Sequence, residues 1–168
     1  MKKIVVATDS FKGSLSAIEA CAIIASQAKQ VFPQAEIVQL PLSDGGEGLV
    51  EIAFKALGGN RKTVSTCDPF GRKLSSDYIQ LADGSALIEM AGAGGLMLLD
   101  PSEYDPLRAS TFGVGLMILH AIRSGADPIY IGLGGSATVD GGTGASAALG
   151  MRFLDGTGEM VINGGGLG

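Results

Sequence analysis

Three short polar stretches hold most of the side chains in this sequence that could do chemistry. They are Asp9-Ser10-Phe11-Lys12-Gly13-Ser14, Ser43-Asp44-Gly45-Gly46-Glu47-Gly48 and Gly134-Gly135-Ser136-Ala137-Thr138-Val139-Asp140-Gly141-Gly142. Each follows an apolar run and mixes small residues with an acid or a lysine. Glycines let a backbone come close to a guest, and N–H groups of loops that enter helices attract anions. A phosphate or carboxylate is the guest such loops suit. Its candidate contacts are Ser10, Phe11, Gly13, Ser14, Gly45, Gly46, Gly134, Gly135 and Ser136, with Lys12 as a point charge. Asp44 and Glu47 stand three residues apart across two glycines, a spacing that can hold Mg²⁺ directly or through water, or accept a proton from a hydroxyl. The plain alternatives are a solvated lysine, a turn aspartate and a glutamate at a helix start. Asp140, set among glycines on both sides, has few turn-only explanations.

Other motifs weigh less. Glu89 in the apolar run SALIEMA is either an edge position or a paired functional acid. Asp68 in CDPFGR reads as a turn former with Arg72 as its partner, and His120 and Cys21 lie in apolar helical patterns and read as core residues. With one histidine and no C-x-x-C, a zinc site is not indicated. No Walker A lysine motif occurs. Gly132-x-Gly134-x-x-Ala137 fits the dinucleotide fingerprint, with Asp155 about 20 residues beyond. That fingerprint needs a helix to open at its third position, where three more glycines would cost about 1 kcal/mol each. An NAD(P)-dependent oxidoreductase is therefore the second reading, and a non-catalytic small-anion binding module the third.

The totals narrow the classes. The chain has 168 residues, 46% of them hydrophobic, and a net charge of −5. It can bury a core, and nothing in its charge or aromatic content invites nucleic acid or an anionic membrane. The apolar run after the two N-terminal lysines is too short for a secretory signal, and no segment approaches the ~20 apolar residues of a span. A cytoplasmic protein is the expectation.

The elements that must position these loops follow from pattern. Residues 4–8 read as a buried strand, Ser16 with Glu19 as a capping box, and Leu15, Ile18, Ala22, Ala25 and Lys29 as one helical stripe ending before Pro33. A strand over 36–41 and a helix over 49–57, closed by Gly58, follow. This strand–helix–strand–helix order predicts an α/β fold with a parallel sheet. Residues 63–66, 74–81 and 85–90 read as antiparallel strands, which places a boundary near residue 60. A helix capped by Ser110 or Thr111, a strand over 128–133, a short helix and a strand–turn–strand over 151–162 complete the chain.

Taken together, ATDSFKGSLSAIEA, PLSDGGEG, CDPFGR, ALIEMAGAGGL and IGLGGSATVDGGTG resemble the signature segments of the bacterial glycerate kinase family of the glyoxylate- and glucarate-pathway type. The resemblance runs in the family's order and covers the N-terminal part of that family. Departures are Val139 where asparagine is usual, Leu116 where glutamate is usual and Thr8 where proline is usual. The resemblance implies a discontinuous Rossmann-like domain, here its first part over residues 1–60, and an inserted mixed α/β domain of which residues 61–168 are a part. It implies transfer of a phosphoryl group from ATP to D-glycerate with Mg²⁺, giving 2-phosphoglycerate, or 3-phosphoglycerate as the alternative. On that reading Lys12 and loop N–H groups bind anions, Asp44 or Asp140 orients or deprotonates the hydroxyl, and Asp9 or Glu47 helps hold the metal.

Overall fold

The computed structural model describes residues 2–160 and 164–167. Strand β1, Lys3–Val6, pairs in parallel with β2, Glu36–Gln39, in the register Lys3↔Glu36. Helix α1, Ala17–Val31, makes the crossover. It starts where the sequence says: Ser16 Oγ accepts the N–H of Glu19, and the Glu19 carboxylate accepts the N–H of Ser16. The buried stripe is Ala17, Ala20, Cys21 and Ala25, shifted from the expected one, and Ala22 and Lys29 face outward. Small side chains seat the helix close on Ile4, Val6 and Ile37. The predicted core position of Cys21 holds: it is fully buried beside the Val6 carbonyl.

The second sheet has the order β3-β4-β5-β6. Strands β3, Asn60–Cys67, and β4, Lys73–Gln80, are antiparallel over eight pairs. Asp68 closes their turn as expected, its Oδ1 accepting from Phe70 N and Arg72 N, both at 2.9 Å, and its Oδ2 pairing with the Arg72 guanidinium. Strand β5, Ala86–Glu89, is antiparallel to β4, whereas β6, Ile129–Gly132, is parallel to β5. The sheet is thus mixed, and β3, β5 and β6 end at the same edge.

Helices cover both faces of this sheet. Helix α4, Phe112–Arg123, buries Val114, Met117 and Ala121 against Val64, Tyr78 and Ile88. His120 is half-buried with its Nδ1 3.1 Å from the Tyr78 hydroxyl, a satisfied core histidine as expected. Helix α2, Leu49–Leu57, follows β2 in sequence yet lays Val50 and Ala53 on Ile79 of this second sheet. The AGAGG stretch forms a one-turn helix α3, Ala91–Gly94, which its glycines hide from sequence reading. Helix α5, Thr143–Ala148, packs across α4. The predicted strand–turn–strand over 151–162 reduces to a single bridge between Leu154 and Met160 around a turn organised by Asp155; positions 161 and 162 lie outside the described residues.

Two glycines on α4 set how close its neighbours come. A Cβ at Gly113 would overlap the carbonyl oxygen of Cys67, and one at Gly115 would stand 2.7 Å from both Ala145 Cα and Ala148 Cβ. Backbone cannot give way as a side-chain tip can. Gly113→Ala is expected to destabilise the chain by about 3 kcal/mol in urea unfolding, despite alanine's better helix propensity.

Candidate functional site

The loops after β1 and β2 are tied by Asp9. Its Oδ1 accepts from Ser10 N at 2.6 Å and its Oδ2 from Asp44 N at 3.2 Å. Residues 11–15 form a tight turn in which Phe11 N donates to Leu15 O and Ser14 N to Phe11 O. This turn holds Lys12 with its Nζ 3.8 Å from Asp44 Oδ2, both groups exposed. The other Asp44 oxygen accepts from Gly46 N at 2.8 Å, and Ser43 Oγ accepts from Gly45 N.

This second loop packs backbone to backbone on the third. Gly134 N donates to Gly45 O at 3.1 Å, and a Cβ at Gly132 would overlap the Gly45 carbonyl oxygen. A Cβ at Gly134 would overlap Gly46 N and stand 2.7 Å from Asp44 Oδ1. Gly132 and Gly134 thus allow the close approach of another loop. The N–H groups of Lys12, Gly13, Gly135 and Ser136 have no acceptor among the described residues and remain open to an anion. Gly135 sits beside Glu47: a Cβ there would lie 3.7 Å from Glu47 Oε1. The structure therefore brings Asp9, Lys12, Asp44, Glu47 and Gly134–Ser136 to one place. A cleft of about 500 Å³ opens there between residues 10–19 and α2, with Lys12 and Lys55 as cations and Glu47 and Glu51 as acids on its walls.

Asp140 lies elsewhere. Its carboxylate is 1% exposed and shares no hydrogen bond with Lys12 or Asp44. Oδ2 accepts from Thr111 N and Thr111 Oγ1, both at 2.8 Å, and from Gly144 N at 3.1 Å; Oδ1 accepts from Gly142 N at 3.1 Å. Thr111 Oγ1 in turn accepts from Ala145 N. The start of α4 and the start of α5 are thereby latched through one carboxylate. An amide offers one acceptor oxygen and turns two N–H donors toward donors. Asp140→Asn is expected to cost about 3 kcal/mol in chemical denaturation.

Glu89 is neither an edge residue nor paired with a cation. It ends β5 inside the sheet, and its Oε2 accepts from Val50 N at 3.0 Å. It caps α2, whose own N-cap, Gly48, at φ 85°, has no side chain to do so. An acid interrupting an apolar run was the available signal; the partner could not be read from it. Burial pushes the Glu89 carboxyl above its ordinary value of 4.5, the charge of Glu47 adds to this, and the α2 N–H donors oppose it. With the folded value raised, the native state holds the proton more tightly, so this group's contribution to stability falls as pH rises above about 4.5. Glu89→Gln keeps an acceptor oxygen but not the titration. The stability of the variant relative to the parent is expected to rise as pH increases through that range, measured by thermal unfolding at a series of pH values.

The dinucleotide fingerprint does not form. After β6 no helix opens at Ala137, whose N–H donates to Gly94 O; α5 begins only at Thr143, and Asp155 holds its own turn. Among the described residues no three His, Cys, Asp or Glu side chains converge as a metal cage. Asp9, Asp44 and Glu47 can offer one or two carboxylates, which fits Mg²⁺ carried on phosphates better than a resident ion. No helix among the described residues is long and apolar enough to cross a membrane.

Comparison with known proteins places this geometry. Residues 4–167 match the model of the glycerate kinase family. The chain is 43% identical over 165 residues to a glycerate kinase of Bacillus cereus, covering 98% of this chain and 43% of that protein. It is 44% identical over 165 residues to a glycerate 2-kinase of Escherichia coli, again covering 98% of this chain and 43% of the relative. A crystal structure from Salmonella typhimurium LT2, which carries a provisional glycerate kinase 2 name, superposes with a TM-score of 0.76 at 44% identity over 99% of this chain and 45% of that one. The chain thus spans less than half the length of these relatives, and it belongs to the glycerate kinase family.

Proposed function

We propose that this chain contributes to an ATP-dependent kinase that phosphorylates D-glycerate at the 2-hydroxyl, giving 2-phosphoglycerate. The observation that carries the reading is the meeting of the Lys12–Asp44 pair, Glu47 and the open N–H groups of Gly135 and Ser136 in a chain of this family. In the same reading residues 1–60 are the first part of a discontinuous Rossmann-like domain and residues 61–168 part of an inserted α/β domain. The cleft between residues 10–19 and α2 is lined wholly by the first of these parts.

Phosphoryl transfer asks a protein mainly for positioning and charge neutralisation. Lys12 is the mobile cation of the site, able to leave Asp44 for a carboxylate or a phosphoryl oxygen. Gly135 and Ser136 present donors fixed by the Gly134–Gly45 contact, and so aimed before any ligand arrives. Asp44 keeps one oxygen on Gly46 N, which fixes its plane, and has the other free to take the proton of the attacking hydroxyl once Lys12 moves. Glu47 or Asp9 would help hold Mg²⁺, which supplies charge neutralisation on the transferred phosphoryl group. Asp140, saturated by four donors, is a positioning residue for the loop that carries these groups.

The test is turnover of D-glycerate and ATP with Mg²⁺ by the complete enzyme, with enolase reporting 2-phosphoglycerate by absorbance. Signal that needs ATP is the expected result, with kcat lowered about 100-fold in Asp44→Asn and KM for glycerate raised in Lys12→Ala. Consumption of ATP without enolase signal would move the transfer to the 3-hydroxyl, and no consumption would overturn the reading.

A further inference from the structure

Glu89 is an acid that the site described above does not use. It ends β5 beside Gly132 in the parallel pair, and Met90, the next residue, donates its N–H to Gly132 O at 2.8 Å. On that side the strand end carries the start of the third loop. On the other side it carries α2: Glu89 Oε2 accepts from Val50 N at 3.0 Å, and the N–H groups of Gly48 and Leu49 act on the same carboxylate. Strand β4 leaves room for this. Its pairing with β5 runs over Ile79↔Leu87 and Gln80↔Ala86, and past these pairs Ser75, Asp77 and Glu89 line an opening of about 510 Å³. Arg61, the cation on its wall, is held by Glu51 and Asp77, so the partners of Glu89 are backbone donors.

Glu47 is the residue this arrangement places. Loop 43–48 is held at Asp44 by Asp9 and at Gly45 by Gly134. Between Gly45 and α2 the other hydrogen bonds are local, Gly46 N to Asp44 Oδ1 and Leu49 N to Gly46 O. Gly48, at φ 85°, brings no side chain to cap the helix. The Glu89 carboxylate is therefore the contact, distant in sequence, that fixes where the loop ends, just past Glu47. Glu47 in turn lies beside Gly135, whose N–H is open like that of Ser136.

We propose that Glu89 is a positioning residue for phosphoryl transfer: by holding the first turn of α2 to the end of β5, it keeps Glu47 beside the open N–H groups of Gly135 and Ser136. The inference rests on the reading of Glu47 above as an acid that helps hold Mg²⁺. One strand end then sets both halves of the site, the donors through Gly132 and the acid through α2. Residues behind a metal-holding acid govern its aim, and aim governs affinity. The length of the Glu89 side chain matters here, and its charge does not, because its partners are N–H groups on a fixed helix end.

The experiment compares Glu89→Asp, which keeps the charge and loses reach, with Glu89→Gln, which keeps reach and an acceptor oxygen. Both leave a polar group in place and are expected to fold, checked by thermal unfolding. In the complete enzyme, calorimetry measures the Kd of ADP with and without Mg²⁺, hydrogen exchange reports the amides of residues 48–50, and turnover gives KM for D-glycerate. Glu89→Asp is expected to speed that exchange and to raise the Kd of Mg²⁺–ADP about tenfold, with metal-free ADP binding and KM for D-glycerate within about twofold of the parent. Glu89→Gln should stay within about threefold of the parent on every measure. The reverse order, Gln impaired and Asp intact, would make charge the operative property. Equal losses with and without Mg²⁺, or in KM for D-glycerate, would make the effect a general loosening. Parent-like binding in both variants would leave Glu89 a helix cap alone. Each of these three results overturns the inference and leaves the kinase reading standing, whereas a parent enzyme that neither binds Mg²⁺–ADP nor turns over overturns both.

Discussion

The architecture turns on a place where two backbones touch without side chains between them. Loop 43–48 lies on Gly132–Gly134, joined by the Gly134–Gly45 hydrogen bond, and no Cβ fits at either glycine of the third loop. One loop leaves the small parallel sheet and the other leaves the four-stranded sheet. Their contact is what makes one site from two sheets. Because it is main chain on main chain, it fixes the aim of neighbouring N–H groups more tightly than a side-chain contact would. Asp44, Glu47 and Ser136 lie beside it, and Lys12 joins them through Asp44.

Carboxylates do the remaining positioning, and they do it with backbone donors instead of cations. Asp140 latches two helix starts, Glu89 caps α2, and Asp9 bridges two loops. An acid at a helix start gains from the dipole and from otherwise unsatisfied N–H groups, so it can be buried without a counter-ion. The cost appears where desolvation outweighs the donors, as in the raised value of Glu89. Asp140 has four donors to set against near-complete burial. The acids on the cleft walls are Glu47 and Glu51, with Lys12 and Lys55 as the cations there, and Asp44 is paired with Lys12.

Much of the secondary structure was legible because it is local. The capping box at Ser16, the Gly58 stop of α2, the Asp68 turn and the order of strands all follow from residue type and spacing, and the structure contains them. The three chemistry-bearing loops and the family were legible for the same reason, since motif residues are consecutive. The stripe of α1, the parallel placement of β6 and the docking of α2 on the second sheet were not, because each is settled by a partner far away in the chain.

The roles within the loops were decided by tertiary structure alone. In the sequence Asp44 and Asp140 are candidates for the same role, each an acid followed by two glycines. The fold turns one toward a lysine at the surface and closes four donors around the other. Gly132 and Gly134 in the sequence permit close approach without naming what approaches, and the fold supplies a loop from the other sheet. Composition and local pattern determine which groups a chain has and which element each sits on. Which of them stay free to act depends on hydrogen-bond partners 30 or so residues away, and only the packed chain brings those within reach.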